Sequence, residues 1–166
     1  MNAPPKVFVS HASEDKQRFV LGFAERLRAA GLDAWLDRWE MLPGDSVVEK
    51  LFDEGLAKAD AFIVVLSKFS VDKPWVREEL NAALMKRVEA NLKVVPVVLD
   101  DCRVPEALST TLWERIEDLS NYDASFQRIV GAITGRHEKP PLGTLPAFAQ
   151  PGAVAIPGLA PADDRV

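Results

Sequence analysis

From Lys6 to about Gly135 the apolar positions follow two patterns in turn: short unbroken runs, and longer stretches in which they recur every three to four residues. KVFVS (Lys6–Ser10), LDAWLD (Leu32–Asp37), AFIVVLS (Ala61–Ser67) and KVVPVVLD (Lys93–Asp100) are the short runs. Their length and their β-branched and aromatic content predict buried strands. RIEDLS (Arg115–Ser120) is a candidate short fifth strand. Pro96 cannot donate to a ladder, which places the fourth run towards an edge of the sheet.

The spaced stretches predict helices. Asp15–Ala30 carries Phe19, Phe23, Leu27 and Ala30 on one face, and Gly31 follows as a stop. After a loop broken by Pro43–Gly44, Ser46 and Glu49 form an S-x-x-E capping box for a helix whose apolar face is Val48, Phe52 and Leu56. Pro74 suits the first turn of a helix running to about Ala90. Asp123–Thr134 presents Phe126, Ile129, Val130 and Ile133 inward.

Strands alternating with helices of a dozen or so residues imply parallel strands joined by crossovers. The expected fold class is therefore α/β, a flavodoxin-like three-layer sandwich around a parallel sheet of about five strands. Ligands on such folds sit beyond the C-terminal ends of the strands. Here those ends are Ser10–Asp15, Leu36–Asp45, Leu66–Ser70 and Asp100–Pro105.

The pattern stops near His137. PPLGTLPAFAQPGAVAIPGLAPADDRV is dense in Pro, Ala and Gly and carries no charge until its last residues. The chain thus divides into a globular domain over 1–137 and a linker or disordered tail over 138–166. The scattered Leu, Phe, Val and Ile of this tail leave a docking segment open as the alternative.

Composition narrows the picture. With 166 residues, 48% of them hydrophobic, there is material for one core. A net charge of −5 excludes a global basic field, so no direct nucleic-acid partner is expected. The single cysteine, Cys102, forms no intrachain disulfide and fits a reducing compartment. MNAPPKVFVS is not a signal peptide, and no apolar segment approaches the length of a bilayer span. The expectation is a soluble cytoplasmic protein with no membrane partner.

Several chemistries drop out by motif. GxGxxG, GxxxxGK[ST] and GxSxG are all absent. One Cys and two His (His11 and His137) do not make a zinc site without carboxylates, and no metal is expected. What remains is acids near strand ends, above all the adjacent Glu78 and Glu79 in KPWVREEL. On a wheel of about 100° per residue, Val76, Leu80, Ala83, Leu84 and Val88 form the core stripe. Trp75 and Glu79, four apart, are neighbours at the border of that stripe. Glu78 lies about 160° from its centre and faces water. Spacing alone leaves Glu79 open as a half-exposed acid favoured by its helix N-terminus, Trp75 as a cap on the core, and His11 as a turn residue.

KVFVSHASEDK, AWLDRWEMLPGDS, VVLSKFS and PWVREEL, in that order and spacing, resemble a Toll/interleukin-1 receptor (TIR) domain of the bacterial, NAD-cleaving type. The likeness covers Lys6 to about Gly135. LDRWEMLPGD matches the family's BB loop, and Trp75 with Glu79 matches its W-x-x-x-E. The resemblance implies that Glu79, not Glu78, is the catalytic residue for cleaving NAD+ at the nicotinamide–ribose bond, by hydrolysis or by cyclisation to cyclic ADP-ribose. NAD+ is then the substrate, and no separate cofactor is implied. Trp75 is implied to stack on the nicotinamide or ribose, and Ser10, His11, Asp37, Trp39 and Ser46 to line the rest of the pocket. The family further implies a role in bacterial defence or cell-death signalling and self-association through the loop Asp37–Asp45. The tail suits a tether to a sensor domain. A non-catalytic TIR adaptor acting through TIR–TIR contacts is the alternative.

Overall fold

The computed structural model describes residues 3–36, 43, 55–137 and 139–152, with all their side chains except those of residues 75, 76 and 88. Five parallel strands form its centre: β1 (Lys6–Ser10), β2 (Asp33–Trp35), β3 (Ala61–Leu66), β4 (Lys93–Val98) and β5 (Glu114–Arg115), in the order β2-β1-β3-β4-β5. This is the flavodoxin-like order that the alternating pattern predicts. Every residue of β3 is buried, as an unbroken apolar run in the middle of a covered sheet requires.

Alternation along the strands sorts the core into two layers. Val7, Val9, Ile63, Val65 and Val97 face one side, with Phe19, Phe23, Leu27, Ile129 and Ile133 from the helices packed on it. Phe8, Phe62, Val64, Leu66 and Val98 face the other, against Leu80 and Ala83. Aromatic stacking extends both layers: Phe8 lies between Trp35 and Phe62, with ring centroids 5.0 and 5.5 Å away, and Phe19 stacks on Phe23 at 5.0 Å.

The first helical stretch starts earlier than expected and is not uniform. It runs as α1 (Ser13–Asp15), a π-helical turn over Lys16–Val20, and α2 (Leu21–Ala29). Ala30, expected on the apolar face, is exposed, while Val20 and Ala24 are buried. The π turn shifts the helical phase by a residue. Gly31 stops the stretch with φ 86. Helix α3 covers Pro74–Ala90, with Pro at its start and Asn91 in the left-handed region at its end. Helix α4 covers Asp123–Thr134 and is stopped by Gly135, and Lys93 Nζ donates to its last carbonyls, Ala132 and Ile133, at 3.2 Å.

Two strand expectations need correction. β2 is shorter than Leu32–Asp37, and β5 is two residues long rather than six. β4 lies next to the edge strand β5, towards the edge as Pro96 predicts. Pro96 is tolerated inside the sheet for a specific reason. Lys93 and Leu99 donate their N–H groups towards β3, so by alternation Pro96 faces the β5 side. There β5 begins only opposite Val97, and no ladder bond is lost. The expected helix opened by Ser46 and Glu49 falls outside the described residues. Residues 139–152 run along the outside, with Leu142 and Phe148 96% and 81% exposed. Among the described residues no helix is long and apolar enough to cross a membrane.

Candidate active site

In the order 2-1-3-4-5, connections leave β1 towards opposite sides, and a crevice opens beyond the C-terminal ends of β1 and β3. Among the described residues the buried polar and charged side chains are Ser10, His11, Asp15, Ser67, Ser70 and Glu79. Ser10 ends β1, His11 and Asp15 come within five residues of it, Ser67 and Ser70 come within four residues of the end of β3, and Glu79 comes from the second turn of α3. Burying a polar group costs free energy unless it is paired, and no described side chain of this set lacks a partner. The fold therefore concentrates its polar burial at the one place where its topology makes a binding crevice.

Strand parity brings Ser10 to Glu79. Ser10 follows Phe8 by two positions, so its side chain points to the α3 side of the sheet. There Ser10 Oγ donates a short hydrogen bond to Glu79 Oε2. Ser10 is 2% exposed and Glu79 6%, so Glu79 is buried rather than at the rim as its wheel position implies. A wheel built from apolar residues locates the greasy stripe but not a polar contact beside it. Glu78, one position earlier, is exposed. His11 is buried, and its Nδ1–H donates to the Val9 carbonyl at 3.0 Å, which fixes the ring in the turn leaving β1.

A second polar cluster braces this turn. Asp15, fully buried, accepts from Ser67 Oγ at 2.5 Å and from Arg18 Nε at 2.9 Å. The Arg18 guanidinium also grips Asp100 at 2.6 and 3.3 Å, and the Lys68 N–H donates to the same carboxylate at 3.1 Å. Asp100 is held below the usual carboxylate range, chiefly by the Arg18 hydrogen bonds, and Arg18 is pushed up, chiefly by Asp100. The cluster thus ties together the ends of β1, β3 and β4. Sequence reading missed it, although one signal was present. Asp15 stands four residues before Phe19 on the row Phe19–Phe23–Leu27, an acid on what is otherwise a core stripe.

On the other flank of α3 a cleft of about 770 Å³ is lined by residues including Arg77, Leu80, Cys102 and Val104; Ser10, His11 and Glu79 do not line it. Burial, and then the nearby Asp100, push the Cys102 thiol up, which disfavours the nucleophilic thiolate. The structure therefore brings Ser10, His11 and Glu79 together at the crevice. Trp75 lies in the first turn of α3, but its side chain is outside the described residues, as are Asp37, Trp39 and Ser46.

This fold and this crevice define an α/β domain of the flavodoxin type with a buried carboxylate at its switch point. The family model for the TIR domain matches residues 7–130, and the chain belongs to that family. It is 41% identical over 91 residues to the NAD(+) hydrolase TcpA of Theionarchaea archaeon (strain DG-70-1), a match covering 55% of this chain and 27% of the relative. It is 39% identical over 90 residues to the 2' cyclic ADP-D-ribose synthase BtTIR of Bacteroides thetaiotaomicron, covering 54% of this chain and 31% of that protein. The match to the NAD(+) hydrolase PdTIR of Paracoccus denitrificans (strain Pd 1222) is 38% over 97 residues, 58% of this chain and 32% of the relative. The matched stretch is thus about a third or less of each of these proteins. Among solved structures, the TIR domain of the Toll-related receptor TRR-2 from Hydra magnipapillata shares the fold with a TM-score of 0.65 at 19% identity, covering 77% of this chain and 97% of that one.

Proposed function

We propose that this TIR domain cleaves NAD+ at the nicotinamide–ribose bond, with Glu79 as the catalytic carboxylate. The observation that carries the reading is the buried Ser10–Glu79 pair at the β1/β3 switch point. Relatives named as NAD(+) hydrolases and 2' cyclic ADP-D-ribose synthases support it.

The chemistry suits a single acid. When the C1′–N bond of NAD+ breaks, its electron pair returns to the pyridinium ring, and nicotinamide leaves neutral without protonation. Positive charge develops on the ribose as an oxocarbenium-like centre. The Glu79 carboxylate, with Ser10 fixing one of its oxygens, is already oriented to stabilise that charge, which is where preorganised electrostatics act most strongly. Water attacking C1′ and losing a proton gives ADP-ribose; an internal nucleophile of the same molecule gives a cyclic product. His11 and the side chains of Trp75, Asp37, Trp39 and Ser46 complete the pocket in this reading.

Activity rises with self-association, in which the loop Asp37–Asp45 takes part, and the segment 138–166 tethers the domain to a sensor within a cytoplasmic defence or cell-death pathway. A scaffold role without turnover has one observation in its favour: Leu112 and Trp113, 95% and 43% exposed, immediately precede the short edge strand β5 as an uncovered apolar surface. Nicotinamide release at high protein concentration separates the two. Glu79→Gln should lower the rate by about 100-fold or more, and Glu78→Gln should leave it within twofold. If wild type releases no nicotinamide at any concentration, the scaffold reading stands.

A further inference from the structure

The C-terminal end of β1 and the residues just after it are tied twice to the N-terminal part of α3. The inner tie is Ser10 to Glu79. The outer tie is Lys73, the residue that caps α3, whose Nζ lies 2.7 Å from both carboxylate oxygens of Glu14. Both outer side chains are partly exposed, 30% for Lys73 and 41% for Glu14. The Lys73 contact, first among its causes, holds the Glu14 carboxyl below its usual range. From these ties we infer that Lys73 is the pyrophosphate-binding cation of the site and that Glu14 is the internal anion it leaves when a dinucleotide enters. This rests on the NAD+ cleavage reading and names the group that selects for the phosphorylated part of the substrate.

A dinucleotide brings a doubly charged pyrophosphate to a crevice whose described side chains are rich in acids: Glu14, Asp15, Glu79 and Asp100. It therefore needs a cation at the mouth. Among the described residues Arg18 is committed to Asp15 and Asp100 by hydrogen bonds on both sides, and Lys68 lies over the Phe69 ring at 5.1 Å. Lys73 caps α3, the helix that carries Glu79, and reaches across to Glu14 just after β1, the strand that carries Ser10; that partner is a solvent-facing carboxylate.

Position also fits. Lys73 stands six positions before Glu79, a helix rise of about 9 Å, with Lys73 at the outer end. The pyrophosphate lies one ribose and one methylene from the glycosidic carbon, so a ribose held at Glu79 directs its phosphates outward. A lysine ammonium on a flexible stem can exchange one carboxylate for a doubly charged group without moving the backbone.

The test compares NAD+ with nicotinamide riboside, which has the same scissile bond and no phosphate. Lys73→Met should raise KM for NAD+ about tenfold, the loss of one charge-assisted contact, with kcat within twofold. The riboside's kcat/KM should change less than twofold. Lys73→Arg should recover most of the NAD+ affinity, and Glu14→Gln should lower KM for NAD+ by removing the competing anion. Lys58→Met, an equal charge change at the opposite end of the sheet, should leave KM unchanged. Equal losses on both substrates, or an unchanged KM for NAD+ in Lys73→Met, overturn the inference and leave the cleavage reading intact. Loss of cleavage in Glu79→Gln tests that reading separately. Calorimetric titration of ADP-ribose into wild type and Lys73→Met repeats the comparison without turnover, and equal binding overturns the inference there too.

Discussion

Replacing Arg18 with methionine removes the guanidinium that joins Asp15 to Asp100 and keeps most of the aliphatic stem. Asp15 is the side chain most affected, because it is fully buried and keeps only the Ser67 hydroxyl of the two bonds described above. Asp100 is 20% exposed at its side chain and keeps the Lys68 N–H, so water compensates part of its loss. Breaking a wholly buried ion pair costs about 3–5 kcal/mol, and one hydrogen bond to a charged group is worth about 1.5–3 kcal/mol. Arg18 is 29% exposed, which admits water and favours the lower range: about 2–3 kcal/mol. At roughly 2–4 °C per kcal/mol for a chain of this size, Tm should fall by about 5–10 °C. The pH dependence has a definite sign. Asp100 is depressed in the folded state by Arg18. Its contribution is therefore present above its unfolded value of about 3.9 and is lost as pH falls through the lower folded value. In urea titrations the gap between wild type and Arg18→Met should be full at pH 7 and narrow below about pH 4. A loss under about 1 kcal/mol at pH 7, or a gap that widens on acidification, would refute the role assigned to Arg18. Asp100→Asn alone should cost less than Arg18→Met, since Arg18 then keeps Asp15, and a double-mutant cycle isolates the pair.

Ser10→Ala should lower kcat for nicotinamide release by about tenfold, less than Glu79→Gln, because the carboxylate remains but loses its orienting donor; unchanged kcat removes Ser10 from the site. Two glycine substitutions should have opposite signs by thermal melting. A Cβ at residue 131 would stand 2.7 Å from the Arg136 carbonyl oxygen, a backbone atom fixed by the 2.9 Å bond from Arg136 N–H to the Gly131 carbonyl, so Gly131→Ala should cost about 1–3 kcal/mol. Gly22, exposed in α2 with nothing within 4 Å of an added Cβ, should gain about 0.5–1 kcal/mol on Gly22→Ala.

The sheet was legible because its information is local. An unbroken apolar run between turn residues has few homes other than a covered strand, and the starts of β1, β3 and β4 fall where the runs begin. α3 and α4 match their expected bounds because Pro74 and Gly135 mark them chemically. The fifth strand was misjudged for a physical reason. Ile116 is 1% exposed, and its N–H still reaches the Val98 carbonyl at 2.9 Å. It therefore reads as strand, yet the partner β4 ends at Val98, and pairing cannot outlast its partner.

The site was legible to the extent that parity and periodicity apply to polar residues as well. Ser10 has the parity of Phe8, so its face was fixed by the sequence pattern; which helix met that face was not. Glu79 was placed at the rim because a stripe drawn through Leu80 and Ala83 assigns no value to a hydrogen bond. The donor that Ser10 supplies offsets part of the cost of burying Glu79, and the helix can turn that flank inward. Asp15 shows the same logic from the other direction. An acid one turn before Phe19 breaks the stripe unless something buried awaits it, and Ser67 and Arg18 are what await it. A polar residue on an apolar row thus implies a buried partner, and for Asp15 that partner stands at the end of the neighbouring strand. The Glu14–Lys73 tie has no such signature. Both residues are ordinary surface charges 59 positions apart, and only the parallel crossing of β1 and β3 brings the turn after one beside the helix after the other.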